Sequence, residues 1–194
     1  MFVAVRLIGN AYVFFAGYVV LQFIVIATAW NILGGYAGYV NFGSAAFFAF
    51  GAYSSVAFQK LLPVPIPILV LVGGLVSALV GLGTGYLTLR LRGVFFSIAT
   101  LAMAVVARTL IENWDFVGGA RGAYIVRPPQ APLIGGDYVE YLFLVMLALS
   151  VISIAAARAI ERSRLGYGFA AIRDDELAAE AMGVPTLKLK LIAA

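Results

Sequence analysis

The side chains able to do chemistry in this 194-residue sequence are few, and their types exclude more than they allow. Cysteine and histidine are both absent, which removes thiolate and imidazole metal sites, Cys- or His-based nucleophilic chemistry and disulfides. All nine carboxylates lie outside or at the edges of the long apolar runs, so no buried acid pair is available for proton relay or intramembrane catalysis. No Gly-Lys dipeptide occurs, which excludes the phosphate cradle of a P-loop; if ATP drives this protein, another subunit hydrolyses it. No metal, cofactor or catalytic residue is expected. Two stretches remain that could do something other than span a membrane: the charged Arg162 to Pro185, RSRLGYGFAAIRDDELAAEAMGVP, and the glycine-rich Gly34 to Ser44, GGYAGYVNFGS.

Within the charged stretch, Asp174 or Asp175 is a good N-cap, Asp175 and Glu176 suit the positive end of a helix dipole, and Gly183 followed by Pro185 is a stop signal. A helix of about nine residues, roughly 13 Å long, is predicted. Leu177, Ala181 and Val184 share one stripe, with Glu176 and Glu180 displaced from it. So short a helix cannot stand alone and must lean on something. Either it packs on its own protein at the membrane face, or the stripe fills a groove on a soluble partner and transmits movement to the spans. In the second stretch, four glycines and Asn41 between two apolar helices predict a turn or a broken helix. It is either a short connection or an unwound segment lining a pathway, where exposed backbone can meet a polar solute.

The elements that must position these stretches are membrane spans. Hydrophobic residues make up 63% and charged residues 11% of the chain, and 53 consecutive residues between Arg6 and Lys60 carry no formal charge, more than twice the roughly 20 that one helix needs to cross a bilayer. The periodicity predicts an all-α bundle, since backbone in lipid must be satisfied internally and a barrel's alternation is missing. Five spans are expected: about Ala11 to Leu33, Ser44 to Leu62, Pro67 to Leu89, Gly93 to Ile111 and Val139 to Ala157. Thr186 to Ala194 begins a sixth that is cut short. A cleaved signal peptide is a poorer reading of the first run, which is longer than an h-region and leads into further spans. In the third span Ser77, Gly81 and Gly85 form a small-xxx-small ridge for close helix approach. Arg108, the one charge inside a span, lies near enough to its end to snorkel or to pair with Glu112. The loop from Glu112 to Asp137 is too long for a bare turn and has room for a short strand at 123–126.

The net charge of +4 is explained by span ends rather than by nucleic-acid binding. With the charged stretch in the cytoplasm, Arg90, Arg92, Arg158, Arg162, Arg164, Arg173, Lys188 and Lys190 lie inside, against Arg6, Lys60, Arg121 and Arg127 outside. Residues 158–185 are then a cytoplasmic loop and 112–138 an external one.

Three segments resemble the permease subunits of ABC importers for branched-chain amino acids, the LivM-like group: Asn31 to Tyr53, Arg90 to Gly122 and Ser163 to Ala193, in the family's order. The run Glu180-Ala181-Met182-Gly183 is similar to the EAA-type loop by which importer permeases dock onto their ATPase. The resemblance implies an integral protein of the bacterial cytoplasmic (inner) membrane, with no enzymatic activity of its own. It implies assembly with a second permease subunit, two cytoplasmic ATPase subunits and a periplasmic or extracellular substrate-binding protein, in contact with membrane lipid. Arg173, Asp174, Asp175, Glu176, Leu177, Glu180, Ala181 and Gly183 would form the coupling segment to the ATPase. Asn31, Gly34, Gly35, Gly38, Asn41, Gly43 and Ser44 would belong to the substrate pathway. Family members carry further spans, so residues 1–194 are expected to be one incomplete permease domain. A permease for urea or short amides is the alternative within the family. A secondary carrier or channel is disfavoured by the missing buried carboxylates, and a membrane scaffold leaves the break at Gly34 to Ser44 without a purpose.

Overall fold

The computed structural model describes residues 11–62, 64–123 and 138–194, and all regular structure among them is helical. Five long helices, α1 (Ala11–Asn31), α2 (Ser44–Leu61), α3 (Ile66–Thr88), α4 (Val94–Glu112) and α5 (Tyr138–Glu161), are followed by three short ones, α6 (Arg164–Asp174), α7 (Glu176–Ala181) and α8 (Thr186–Ala193). Among the described residues four helical stretches are long and apolar enough to cross a bilayer: Tyr12–Tyr36, α3, α4 and α5. The protein is an all-α polytopic membrane protein. The expected second span is a helix of 18 residues, but Ser54, Ser55, Gln59 and Lys60 make it less apolar, and it is not among these four. Of the long loop after α4, the first part forms two 3-10 turns, Asp115–Val117 and Gly119–Arg121. The strand expected at 123–126 falls almost wholly on residues 124–137, outside the described residues.

The described residues cluster into two compact units, one formed by residues 11–32 and 138–167, the other by 33–123 and 168–194. In the first, α1 packs against α5 around Phe14, Leu21 and Phe143, the last fully buried. The rings of Phe14 and Phe143 meet edge to face with centroids 5.6 Å apart. Gly17 makes this possible, because a Cβ there would lie 2.6 Å from the Phe143 ring.

In the second unit, α2 and α3 approach so closely that small residues are required on both. A Cβ on Gly73 would lie 2.5 Å from Ser55 Oγ and 2.7 Å from the Gly51 carbonyl oxygen, and one on Gly51 would lie 2.7 Å from Ser77 Oγ. The serines also stitch the helices: Ser77 donates to the Phe47 carbonyl at 2.6 Å and Ser55 to the Leu69 carbonyl at 2.9 Å. The ridge expected at Ser77, Gly81 and Gly85 is therefore a packing surface, starting one turn earlier at Gly73. Gly85, at its far end, faces Leu191 and Ala194 around α8 instead. At one end of this unit Lys60 Nζ, closing α2, donates to the Phe116 carbonyl beyond α4 at 2.7 Å. The start of α2, the α3–α4 turn and α7 lie at the other.

Gly73→Ala is expected to lower unfolding stability in detergent by about 1–3 kcal/mol, the usual cost of forcing atoms into a packed contact. Gly74→Ala, where a Cβ meets nothing within 4 Å, should leave it unchanged or slightly raised. Equal melting temperatures for the two variants would show that the α2–α3 contact is not tight.

Candidate functional site

The chain leaves α1 through a π-helical turn, Ile32–Tyr36, and runs without regular structure until α2 begins at Ser44. The break expected between Gly34 and Ser44 is thus a widened helix end followed by an irregular strand of chain. Gly38 reverses it with φ +75°, a conformation that favours glycine, and a Cβ there would lie 2.8 Å from Arg173 Cγ. Tyr39 N–H returns to the Leu33 carbonyl at 3.1 Å, and Gly43 N–H donates to the Asn41 side chain at 2.7 Å. The remaining backbone is held from α4 by hydroxyls: Ser97 donates to the Val40 carbonyl at 2.9 Å, and Thr100, itself buried, accepts from Phe42 N–H at 3.1 Å. Gly43 lies so close to α4 that a Cβ would meet Met103 and the Thr100 carbonyl.

Of the residues expected to line a pathway, Asn31 is exposed at the end of α1, and Gly34 and Gly35 lie in the π turn. Gly38, Asn41 and Gly43 shape the break, and Ser44 opens α2 with a 3.3 Å contact to the Asn41 carbonyl.

The charged stretch folds into two helices. First, residues 164–174 form a helix, α6, in spite of two glycines. Phe169 and Ile172 are buried, and Gly168 admits Leu189 where a Cβ would lie 2.6 Å from Leu189 Cδ1, so packing overrides propensity. Second, the following helix has six residues rather than about nine, because Asp174 ends α6 and Asp175 is extended between the two helices. Asp175 is its N-cap, its carboxylate accepting from Leu177 and Ala178 N–H at 2.9 and 3.1 Å. The end is a Schellman turn: Gly183, at φ +86°, donates to the Glu180 carbonyl and Val184 N–H to that of Ala179. Arg173 reaches the Gly35 carbonyl at 3.4 Å and the Asp174 carboxylate at 3.7 Å.

These caps orient α7 so that Leu177, Ala181 and Met182 are exposed and Ala179 is buried, while Glu176 is turned inward and Glu180, itself exposed, is held at the surface by Arg92 and Thr186. Glu176 accepts from the Tyr39 hydroxyl and, at 2.7 Å, from Lys190 Nζ. Lys190, only 2% exposed, also donates to the Leu89 carbonyl at 2.7 Å and lies 3.2 Å from the Tyr39 hydroxyl. Its ammonium stands 4.6 Å from the centre of the Tyr39 ring. Arg92 pairs with Glu180 at 2.7 Å and with Glu176 at 3.6 Å, and Thr186 donates to Glu180 at 2.7 Å. One polar cluster therefore joins the break through Tyr39, the α3–α4 turn through Leu89 and Arg92, α7 through both glutamates, and α8 through Thr186 and Lys190.

Burial, and next the hydrogen bond to the Glu176 carboxylate, push the Tyr39 phenol well above its ordinary value, so it stays a neutral donor. The Thr186 hydroxyl, with Arg92 nearby, holds the Glu180 carboxyl below the usual carboxylate range. Since folding lowers that value, its contribution to stability is in place above the ordinary carboxyl pKa and is lost only as pH falls through the depressed one.

A family model described as the branched-chain amino acid transport system / permease component matches residues 12–194. The chain belongs to this permease family. It is similar to the high-affinity branched-chain amino acid transport system permease proteins LivM of Salmonella typhimurium, 28% identical, and Escherichia coli, 27% identical. Each match covers 88% of this chain and 46% of the relative, so the chain spans about half the length of the curated relatives it matches. No solved structure matches. Within this permease sequence, Tyr39, Leu89, Arg92, Thr186 and Lys190 belong to the cluster without having been singled out as site residues. The one signal at hand was Lys190, a charge in an apolar run, which amphipathic pattern alone reads as a span-end cation.

Lys190→Met should cost about 3 kcal/mol of unfolding stability, the range for orphaning one partner of a buried pair. Adding Glu176→Gln should restore part of that loss. A double-mutant cycle by thermal or denaturant unfolding in detergent measures this, and strictly additive costs would show the two side chains uncoupled.

Proposed function

We propose that these residues are the translocation portion of an ABC importer permease for branched-chain amino acids, moved by ATP hydrolysed on separate cytoplasmic subunits. The observation that carries this reading is the division of α7 into two faces. Its outer face offers Leu177, 63% exposed, and Met182, 85% exposed, as an apolar plug for a groove on a partner. Its inner face grips the break through Glu176 and Tyr39 and the α3–α4 turn through Arg92 and Lys190. A displacement of α7 by the ATPase would pull on Tyr39 and so on the irregular chain that lies along α4. Such a handle fits a subunit that lacks a P-loop and must receive motion from outside.

In this reading the cluster end of the second unit faces the cytoplasm of a bacterial inner membrane, where most of the cations lie, and the Lys60–Phe116 end faces the substrate-binding protein. A second permease subunit completes the pathway. The family description and the names of the relatives supply the substrate class.

In the full-length permease assembled with its ATPase and binding protein, Leu177→Asp should reduce ATP-driven leucine uptake at least ~tenfold while leaving the protein inserted and its melting temperature unchanged, as expected for an exposed interface anchor. Uptake at the unmodified level would remove the coupling role from α7.

A further inference from the structure

We propose that the groove between α2 and α4 is a binding site for a zwitterionic amino acid with an apolar side chain. The proposal rests on the amino-acid transport reading and adds a place where the solute sits. The groove is open on one side and offers about 410 Å³, within the range of small-molecule pockets. One wall is α2, with Ala45, Ala49 and Tyr53 on successive turns; the other is α4, with Ala104, Arg108 and Glu112 on successive turns. From Ala45 to Tyr53 it runs about 12 Å along the helix. Its inner end adjoins the break, since Ala45 follows Ser44, and its outer end approaches the loop that holds Lys60.

The chemistry of the walls matches the three parts of such a solute. A zwitterion leaving water needs both charges compensated, or the cost is prohibitive. Arg108 supplies a planar fork suited to a carboxylate, and Glu112, one turn further, a carboxylate suited to an ammonium. The two side chains meet at 2.6 Å yet are 79% and 43% exposed, so their pairing adds little to stability and is free to open around a ligand. Arg108 and Glu112 stand in the last two turns of α4, near the span end, so the charged end of the groove beside them is open to water and to a polar solute arriving from it. The alanines leave room for a branched side chain where larger residues would fill the space.

The 194 residues contain no cysteine, so Ala49→Cys places a single thiol among them. In the full-length permease within its assembled transporter, labelling of that thiol by a small methanethiosulfonate is followed by mass spectrometry of its peptide. Saturating leucine should slow labelling at least ~threefold by mass action. Leucinamide, lacking the carboxylate, should protect much less, and Arg108→Gln should abolish the protection by leucine. Unchanged labelling in leucine, from a preparation that still takes up leucine on ATP addition, overturns the groove site and leaves the transport reading standing. A lipid occupying the groove would give that same unchanged rate. Protection by leucine without any leucine uptake supports the site and counts against the transport reading.

Discussion

The ammonium of Lys190 is the constraint around which the second unit is arranged. A charge so fully removed from water is tolerable only with its donors satisfied, and here the acceptors come from three separate places: the Glu176 carboxylate on α7, the Leu89 carbonyl at the end of α3 and the Tyr39 hydroxyl in the break. None of the three can move away alone without leaving a buried charge underpaired. Tyr39 is in turn fixed on its other side by Phe96, whose ring it meets edge to face at 5.2 Å. The break, the turn between two spans and the short helix are thus tied to one buried charge, with the Tyr39–Phe96 contact beside it.

This arrangement explains why a six-residue helix persists. Helix nucleation is unfavourable and six residues return few backbone bonds. The Asp175 cap and the Gly183 turn satisfy its ends, while Arg92, Lys190 and Thr186 hold its two glutamates. Leu177, Ala181 and Met182 remain exposed beside Glu180, while Ala179 and Glu176 face the protein.

How much of this was legible in the sequence depended on the range of the interactions involved. Spans, the Asp175 cap, the Gly183 stop and the Arg108–Glu112 pair are local, and composition or spacing of three and four residues reveals them. The stripe of Leu177, Ala181 and Val184 was also readable, although its direction was not. That direction is set by Tyr39, which lies 137 residues before Glu176, and by Arg92, 88 residues before Glu180. α6 was obscured for a related reason: Gly166 and Gly168 lower helix propensity, and the contacts that outweigh them, such as Leu189 over Gly168, are not neighbours in the chain. In α2 the helix was legible, but its apolar residues masked the serines that serve the α3 contact.

The hydroxyls of Ser97 and Thr100 give the break a mechanical character distinct from its surroundings. Both bond its backbone by side chain while the backbone of α4 remains committed to its own helix. Detaching the break would therefore leave α4 whole, and water could take over the freed groups at small net cost. The segment is lashed by side chains to a rod whose own length and register do not depend on it.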